Sequence, residues 1–469
     1  MLNKIKKYYL RSINLKAGIW YTFSNIINQA IAFFVMPIFT RLLLPEDYGM
    51  VNTYIAWVGI ISIFVGLCLH ACIMTAYKDF KNDFNQFMSS IFFLSFIVFI
   101  TISIIIFLII NIFNLNFPMI LTVFALVQSY SGFIIMTYSQ ELVMKVKYKL
   151  YAFINSSVSI INVILSIVLI LFVLKDRLYM GRIFSVFFIN SVFAIAIFFF
   201  VTIRGKKLVN LTYWKYALTY SVPIIAHAGC LYIMDQSDRL MITHFAGLAA
   251  TGVYSVIYNF GMIPQVISSS ISNVWHPLFT EKMQEKEYDF INKKSVDFLR
   301  TFTLLTITIM LVSPEVIKLM VSEKYISGIP MLIPIVLSAY VMFIYSFYAT
   351  NERYYKKTKL MSLCTIIAAS LNIVLNLIFI PMYGATAAAY TTLIAYIVSA
   401  MIHYFASRFL NKSIFNIRLF MADILLILFF TVISVIFINC WIVRWVMLLL
   451  TGVVCLKKIL KEQCYKGRD

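Results

Sequence analysis

The sequence predicts an all-α integral membrane protein of about 14 transmembrane helices, and two observations carry that prediction. First, the 469-residue chain is 62% hydrophobic and only 12% charged, with a mean hydropathy of +0.90. A soluble domain keeps about 25% of its residues charged to cover its surface for water, so lipid must cover much of this one. Second, apolar runs of about 20 residues recur from Lys16 to Leu460. Each is long enough to span ~30 Å of hydrocarbon as a helix, and helices satisfy their own backbone groups where no water is available. The short alternating segments of a transmembrane barrel are absent from the sequence.

The predicted spans are 17–39, 50–75, 88–111, 117–138, 151–174, 180–203, 216–236, 250–274, 300–320, 327–350, 360–382, 385–407, 419–438 and 440–456. The basic residues Lys4, Lys6, Lys7 and Arg11 precede the first span as in a signal peptide. The apolar run continues to Phe39, too long for a removable signal, so it reads as an uncleaved span. The seventh span carries polar groups, and the last two are short enough to form a re-entrant hairpin instead.

Charge sets the orientation. The net charge of +20 would suggest nucleic acid in a soluble chain. Here the cations fall between spans, which argues against nucleic acid. Cytoplasmic loops collect Lys and Arg. With the N-terminus inside, the inner segments hold 31 of the 39 Lys and Arg residues. That leaves eight at the outer ends: Arg41, Lys175, Arg177, Arg182, Arg239, Lys318, Lys324 and Arg444. An even number of spans with both termini cytoplasmic follows. The longest loop, HPLFTEKMQEKEYDFINKKSVDF near 276–299, reads as an amphipathic helix on the inner surface. The seven cysteines form no CxxC pair and fit small buried side chains better than disulfides or metal ligands.

An internal repeat is visible. Pro45-Glu46-Asp47-Tyr48-Gly49 leads into Val51-Asn52-Thr53-Tyr54, and Ala249-Ala250-Thr251-Gly252 leads into Val253-Tyr254-Ser255. Asn162-Val163-Ile164-Leu165 pairs with Asn372-Ile373-Val374-Leu375, at offsets of about 200–210 residues. This divides the chain into a lobe of six spans at 1–210, a second at 211–410, and an appended pair with a basic tail at 411–469. Lobes related in this way rock around a central site in many transporters.

Three stretches carry a family resemblance: TRLLLPEDYGMVNTY (Thr40 to Tyr54), SVPIIAHAGCLYIMDQSDRLMITHFAG (Ser221 to Gly247) and NIVLNLIFIPMYGATAAAYTTLIAY (Asn372 to Tyr396). With them the chain resembles polysaccharide (O-antigen, Wzx-type) flippases of the multidrug/oligosaccharidyl-lipid/polysaccharide exporter superfamily. Ala387 stands where a second glycine of a Gly-x-x-Gly-Ala-Ala pattern is expected. The resemblance implies two lobes alternating between inward-open and outward-open states. It also implies a lipid-linked (undecaprenyl-pyrophosphate) oligosaccharide carried from the inner to the outer leaflet of the bacterial cytoplasmic membrane, with its lipid tail in the bilayer beside spans 13 and 14. Other polysaccharide-assembly proteins are implied as partners. Two alternatives stay open: a cation-coupled multidrug or metabolite antiporter of the same superfamily, and a membrane-embedded polymerase or acyltransferase.

Ionisable groups within spans are costly and usually face a bundle interior or a wet cavity. His227, Asp235, Asp238 and Arg239 cluster in span 7, beside a Pro223 expected to kink it. They read either as a polar cavity wall or as a local Asp235–Arg239 pair one turn apart. Arg41 ends span 1 and suits a pyrophosphate, which arginine grips bidentately; its other reading is an interfacial snorkelling side chain. Arg182 offers the same choice at the start of span 6. Glu352 and Arg353, ending span 10, are candidates for an inner-gate pair, and Asp423 reads as solvated at the start of span 13. Asn25 and Asn28 belong to a wider set of in-span amides that either bind sugar hydroxyls or join helices. No catalytic constellation, Walker motif or cofactor site is apparent. Any coupling would use H+ or Na+, for which Asp235 or Asp238 is the candidate carboxylate.

Overall fold

The computed structural model describes residues 2–112 and 118–452, with the side chains of 2–15, 19, 226, 227, 231, 234 and 358 excepted. Every regular element among them is helical. Among the described residues twelve helices are long and apolar enough to cross a membrane, and Trp441–Gly452 is a shorter apolar helix. The chain forms two compact units, Met1–Leu240 and Met241–Asp469.

The first unit contains α1 (Leu2–Leu42), α2 (Pro45–Gly66), α3 (Ile73–Asp79), α4 (Phe84–Ile112), α5 (Met119–Met144), α6 (Tyr148–Val168), α7 (Leu178–Gly205) and the start of α8 (Leu211–Gly261). The predicted second span is not one helix. Leu67 and Cys68 take left-handed φ values of 42° and 52°, and a short 3-10 turn, Leu69–Cys72, separates α2 from α3. The core is aromatic: Phe80 stacks on Phe87 at 5.2 Å and meets Tyr213 edge-on at 5.0 Å. In lipid this packing is favoured by dispersion, because apolar side chains gain little from leaving an apolar solvent.

The start of α8 belongs to this packing. Trp214 Nε1 donates to Ser90 Oγ at 2.9 Å, and Tyr216 donates to Asp79 at 2.6 Å. Farther along, the Tyr232 hydroxyl reaches the Ile55 carbonyl at 3.3 Å, over Gly59. The first compact unit therefore extends to Leu240, 30 residues beyond the boundary that the repeat suggests at 210.

α8 stays helical through Pro223 and breaks at Gly247, whose φ of 88° and ψ of 171° are open to glycine and costly for other residues. The apolar helix 235–284 would measure ~75 Å if straight, more than twice the ~30 Å hydrocarbon core. The break at Gly247 thus divides two passes.

The second unit contains the end of α8, α9 (Ile263–Gln284), α10 (Tyr288–Met320), α11 (Leu332–Tyr354), α12 (Thr358–Tyr383), α13 (Ala385–Leu410), α14 (Ile417–Ile436) and α15 (Trp441–Gly452). α11 is its most buried span and packs most extensively against α13. The expected surface helix near 276–299 is instead the meeting of α9 and α10 at a three-residue turn, 285–287. Trp275, Phe279 and Met283 of α9 and Ile291 and Leu299 of α10 are buried, so these ends continue the core rather than lying on a surface. In the turn, hydrogen bonding to Lys282 holds the Glu285 carboxyl below its usual range.

One turn shows the repeat in atomic detail. Between α5 and α6, Lys147 N donates to Leu142 O at 2.8 Å around a left-handed Val146. Between α11 and α12, Lys357 N donates to Glu352 O at 3.0 Å around a left-handed Lys356. The two turns lie 210 residues apart, the offset of the Asn162 and Asn372 motifs.

Candidate functional site

The polar groups of the first unit gather in two places. One is a cavity of about 350 Å³ between α5, α6 and α7, lined among others by Ser139, Gln140, Tyr151, Asn155 and Asn190. Asn155 Nδ2 donates to Ser139 Oγ at 3.2 Å and to the Tyr151 carbonyl at 2.9 Å. Tyr21 of α1 meets Tyr151 edge-on at 5.0 Å. The Tyr21 hydroxyl is buried with no hydrogen-bond partner among the described residues, as are Oδ1 of Asn28 and of Asn162. Such groups are costly to leave unmet. Its amides, hydroxyl and single tyrosine stand beside the apolar Ile135, Met136, Val143 and Val158, and no carboxylate lines it. Of its polar members none was singled out from sequence, although amides recurring within apolar runs were the signal that could have found them.

The other place is α8. Asp238 and Arg239 are buried, and Asp235 is half-buried. Arg239 Nη1 donates to the Asp235 carbonyl at 3.0 Å and to Gln236 Oε1 at 3.1 Å, while Gln236 Nε2 donates to the Asp235 carboxylate at 2.6 Å. Asp235, Gln236 and Arg239 thus form a knot of hydrogen bonds within one turn. His227 lies on the same helix, its side chain outside the described ones.

The other sequence candidates sit elsewhere. Arg41 is exposed in the last turn of α1. Arg182 is packed into the bundle: its Nη1 donates to Ser166 Oγ at 3.0 Å, and its guanidinium lies 4.6 Å over the Phe39 ring. Asn25 is exposed and Asn28 half-buried on α1.

The proposed Glu352–Arg353 pair is corrected. Adjacent helical residues point in different directions, so Arg353 is exposed while Glu352 is fully buried. The Glu352 carboxylate instead meets Nδ1 of the equally buried His403, with distances of 2.8 and 3.0 Å to its two oxygens. Asp423 is corrected likewise. It is 2% exposed, with Arg300 of α10 at 3.7 Å, because α14 lays its first turns against α10. Arg444 of α15 is also buried, donating to the Leu311 carbonyl at 3.0 Å and to Glu315.

The repeat motifs join corresponding helices. Asn162 Nδ2 reaches Asn190 Oδ1 at 3.4 Å, linking α6 to α7. Asn372 Nδ2 donates to Thr392 Oγ1 at 3.1 Å, and Thr391 Oγ1 donates to Asn376 Oδ1, linking α12 to α13. No group of three or more His, Cys, Asp and Glu suited to a metal is present among the described residues.

Comparison with known proteins places this arrangement. The chain is 22% identical over 403 residues to the capsular polysaccharide biosynthesis protein CapF of Staphylococcus aureus, covering 81% of this chain and 96% of CapF. Its fold matches the lipid II flippase MurJ in an inward closed conformation, with a TM-score of 0.72 and 17% identity over 95% of this chain and 99% of MurJ. It also matches an inward-facing multidrug resistance MATE family transporter, with a TM-score of 0.63 and 14% identity over 82% and 95% of the two chains. The protein is thus a multi-pass membrane protein of the fold shared by MurJ and the MATE transporters. The model of the family described as polysaccharide biosynthesis protein matches residues 15–283, more than half of its length, and the chain belongs to that family.

Proposed function

We propose that the protein is a flippase that carries a lipid-linked oligosaccharide repeat unit, borne on undecaprenyl pyrophosphate, from the inner to the outer leaflet of a bacterial cytoplasmic membrane for surface polysaccharide assembly. The observation that carries this reading is the uncharged cavity of the first unit, in which Gln140, Asn155, Asn190, Ser139 and Tyr151 stand beside apolar side chains. A sugar presents hydroxyls and apolar ring faces and needs hydrogen-bonding groups beside aromatic surfaces. A carboxylate would favour a cationic drug, and this lining has none. The family match and the resemblance to CapF support the same substrate class, and the fold shared with MurJ supports a lipid-linked one.

In this mechanism the head group is carried by alternating access and held in the polar cavity of the first unit. Gln140, Asn155 and Asn190 contact sugar hydroxyls, Arg41 grips the pyrophosphate, and the Asp235–Arg239 turn forms part of the polar wall. The lipid tail stays in the bilayer, along α14 and α15. The excess of Lys and Arg in the segments assigned to the inner side supports an N-terminus in the cytoplasm. A deletion strain tests the reading: lipid-linked repeat units should accumulate in the inner leaflet, out of reach of an external lectin. Loss of drug resistance with normal surface glycan would favour the antiporter alternative instead.

A further inference from the structure

Each six-span sequence repeat carries a buried carboxylate near the end of its fourth helical pass, bonded to a base on the sixth. In the first unit Glu141 of α5 is fully buried and takes Arg204 of α7 at 2.6 Å and Lys145 at 2.7 Å. In the second, Glu352 of α11 takes His403 of α13. The registers differ by one residue. Aligned on the repeated turn, Asn351 stands where Glu141 does and donates to Ser407 of α13 at 2.8 Å, with Glu352 one position on. The two pairs differ in chemistry. Guanidinium stays charged at every accessible pH, whereas imidazole gains and loses a proton in the physiological range.

We propose that Glu352 and His403 form the proton-binding site of this carrier, coupling protonation to the α11–α13 interface. The proposal rests on the flippase reading. With the carboxylate on Nδ1, the ring keeps its hydrogen there, and Nε2 is the basic atom. Nε2 is buried and has no hydrogen-bond partner among the described residues. A proton added at Nε2 converts neutral imidazole and carboxylate, a buried net charge of −1, into a neutral imidazolium–carboxylate pair. Loading therefore secures α11 to α13, and unloading leaves an uncompensated charge that is relieved by rearrangement. Tyr345 meets the His403 ring at 4.6 Å and Cys364 of α12 feels the Glu352 charge, while the exposed Arg353 on the same helix acts on Tyr345. Arg353 also acts on His276 of α9. Asn351 and Ser407 bound the site without titrating.

The site is tested without substrate by NMR of histidine-labelled protein in lipid nanodiscs. The chain has five histidines, and the signal lost in His403→Gln identifies the one of interest. It should differ between neutral and imidazolium forms across the pH range in which the protein stays folded, and Glu352→Gln should displace that change. A His403 signal constant across the range overturns the proposal.

Coupling is tested in proteoliposomes with a fluorescent short-chain polyprenyl-pyrophosphate disaccharide as probe. Wild-type transfer should change by up to about tenfold per pH unit, the limit for one proton, and His403→Arg or His403→Gln should flatten the profile. A wild-type pH profile in both variants removes the coupling role while the flippase reading stands. A wild-type protein that moves no probe at any pH removes the flippase reading and the coupling with it, and the NMR titration still decides the proton site.

Discussion

Glu141 of α5 and Arg204 of α7, 63 residues apart in sequence, meet at 2.6 Å with the carboxylate wholly buried. Lys145, which also donates to Asn85 at 2.8 Å, completes a cluster joining α4, α5 and α7 at one end of the first unit. Breaking a buried pair from one side leaves the other charge uncompensated. Arg204 and Lys145 are 23% and 21% exposed, so water softens that penalty. Glu141→Ala is expected to cost about 2–3 kcal/mol, read as a lowered Tm of the purified protein in detergent. An unchanged Tm would mean the cluster contributes nothing net.

Gly205 ends α7 against the backbone of α4. A Cβ there would lie 2.2 Å from the Asn85 carbonyl oxygen, which cannot move without shifting the helix. Gly205→Ala should destabilise by about 1–3 kcal/mol through overpacking. Gly132, on the polar cavity, has nothing within 4 Å of a built Cβ. Gly132→Leu should therefore leave Tm unchanged and block glycan export by filling the cavity. Wild-type export in a fully expressed Gly132→Leu strain would remove this cavity from the substrate path.

Gly247 separates the two passes of α8 in a conformation that an L side chain strains to adopt. Gly247→Ala is expected to cost about 1–3 kcal/mol and to reduce the yield of folded protein, measured by size-exclusion chromatography. The nearby Gly229→Ala, with nothing within 4 Å of its built Cβ and an ordinary helical backbone, is the control and should express normally.

Arg41→Ala and Asp235→Ala should each abolish surface glycan while the protein remains inserted, as measured by glycan immunoblot beside membrane fractionation. Normal export in both would remove those residues from the site. Asn155→Ala and Gln140→Ala should reduce export in a graded way, since each removes one set of hydrogen bonds from a neutral lining.

Most of the helices were legible in the sequence because length and hydropathy suffice to mark a run such as 88–111 inside α4. The break at Gly247 was signalled only by its glycine, and the helix continues through Pro223. Side-chain partnerships were legible only where they are local. The spacing of four brings Arg239 to the Asp235 backbone carbonyl, while Gln236, which bonds to both side chains, was not singled out. Glu141–Arg204 and Glu352–His403 were not legible, because 63 and 51 residues separate partners that only helix packing brings together. Asp423 misled for a related reason: its place near a span end suggested water, while packing against α10 buries it beside Arg300. The cavity amides Gln140, Asn155 and Asn190 lie on three helices, and their convergence depends on how those helices rotate about their axes.

The central claim is that this chain moves a lipid-linked oligosaccharide across a bilayer through a neutral polar cavity. Its most direct test is transfer of lipid-linked repeat units, extracted from the deletion strain, in proteoliposomes holding the purified protein. Transfer is scored by the fraction that an external lectin can reach. The account predicts protein-dependent transfer that Gly132→Leu abolishes. Equal lectin access with and without folded wild-type protein would contradict it.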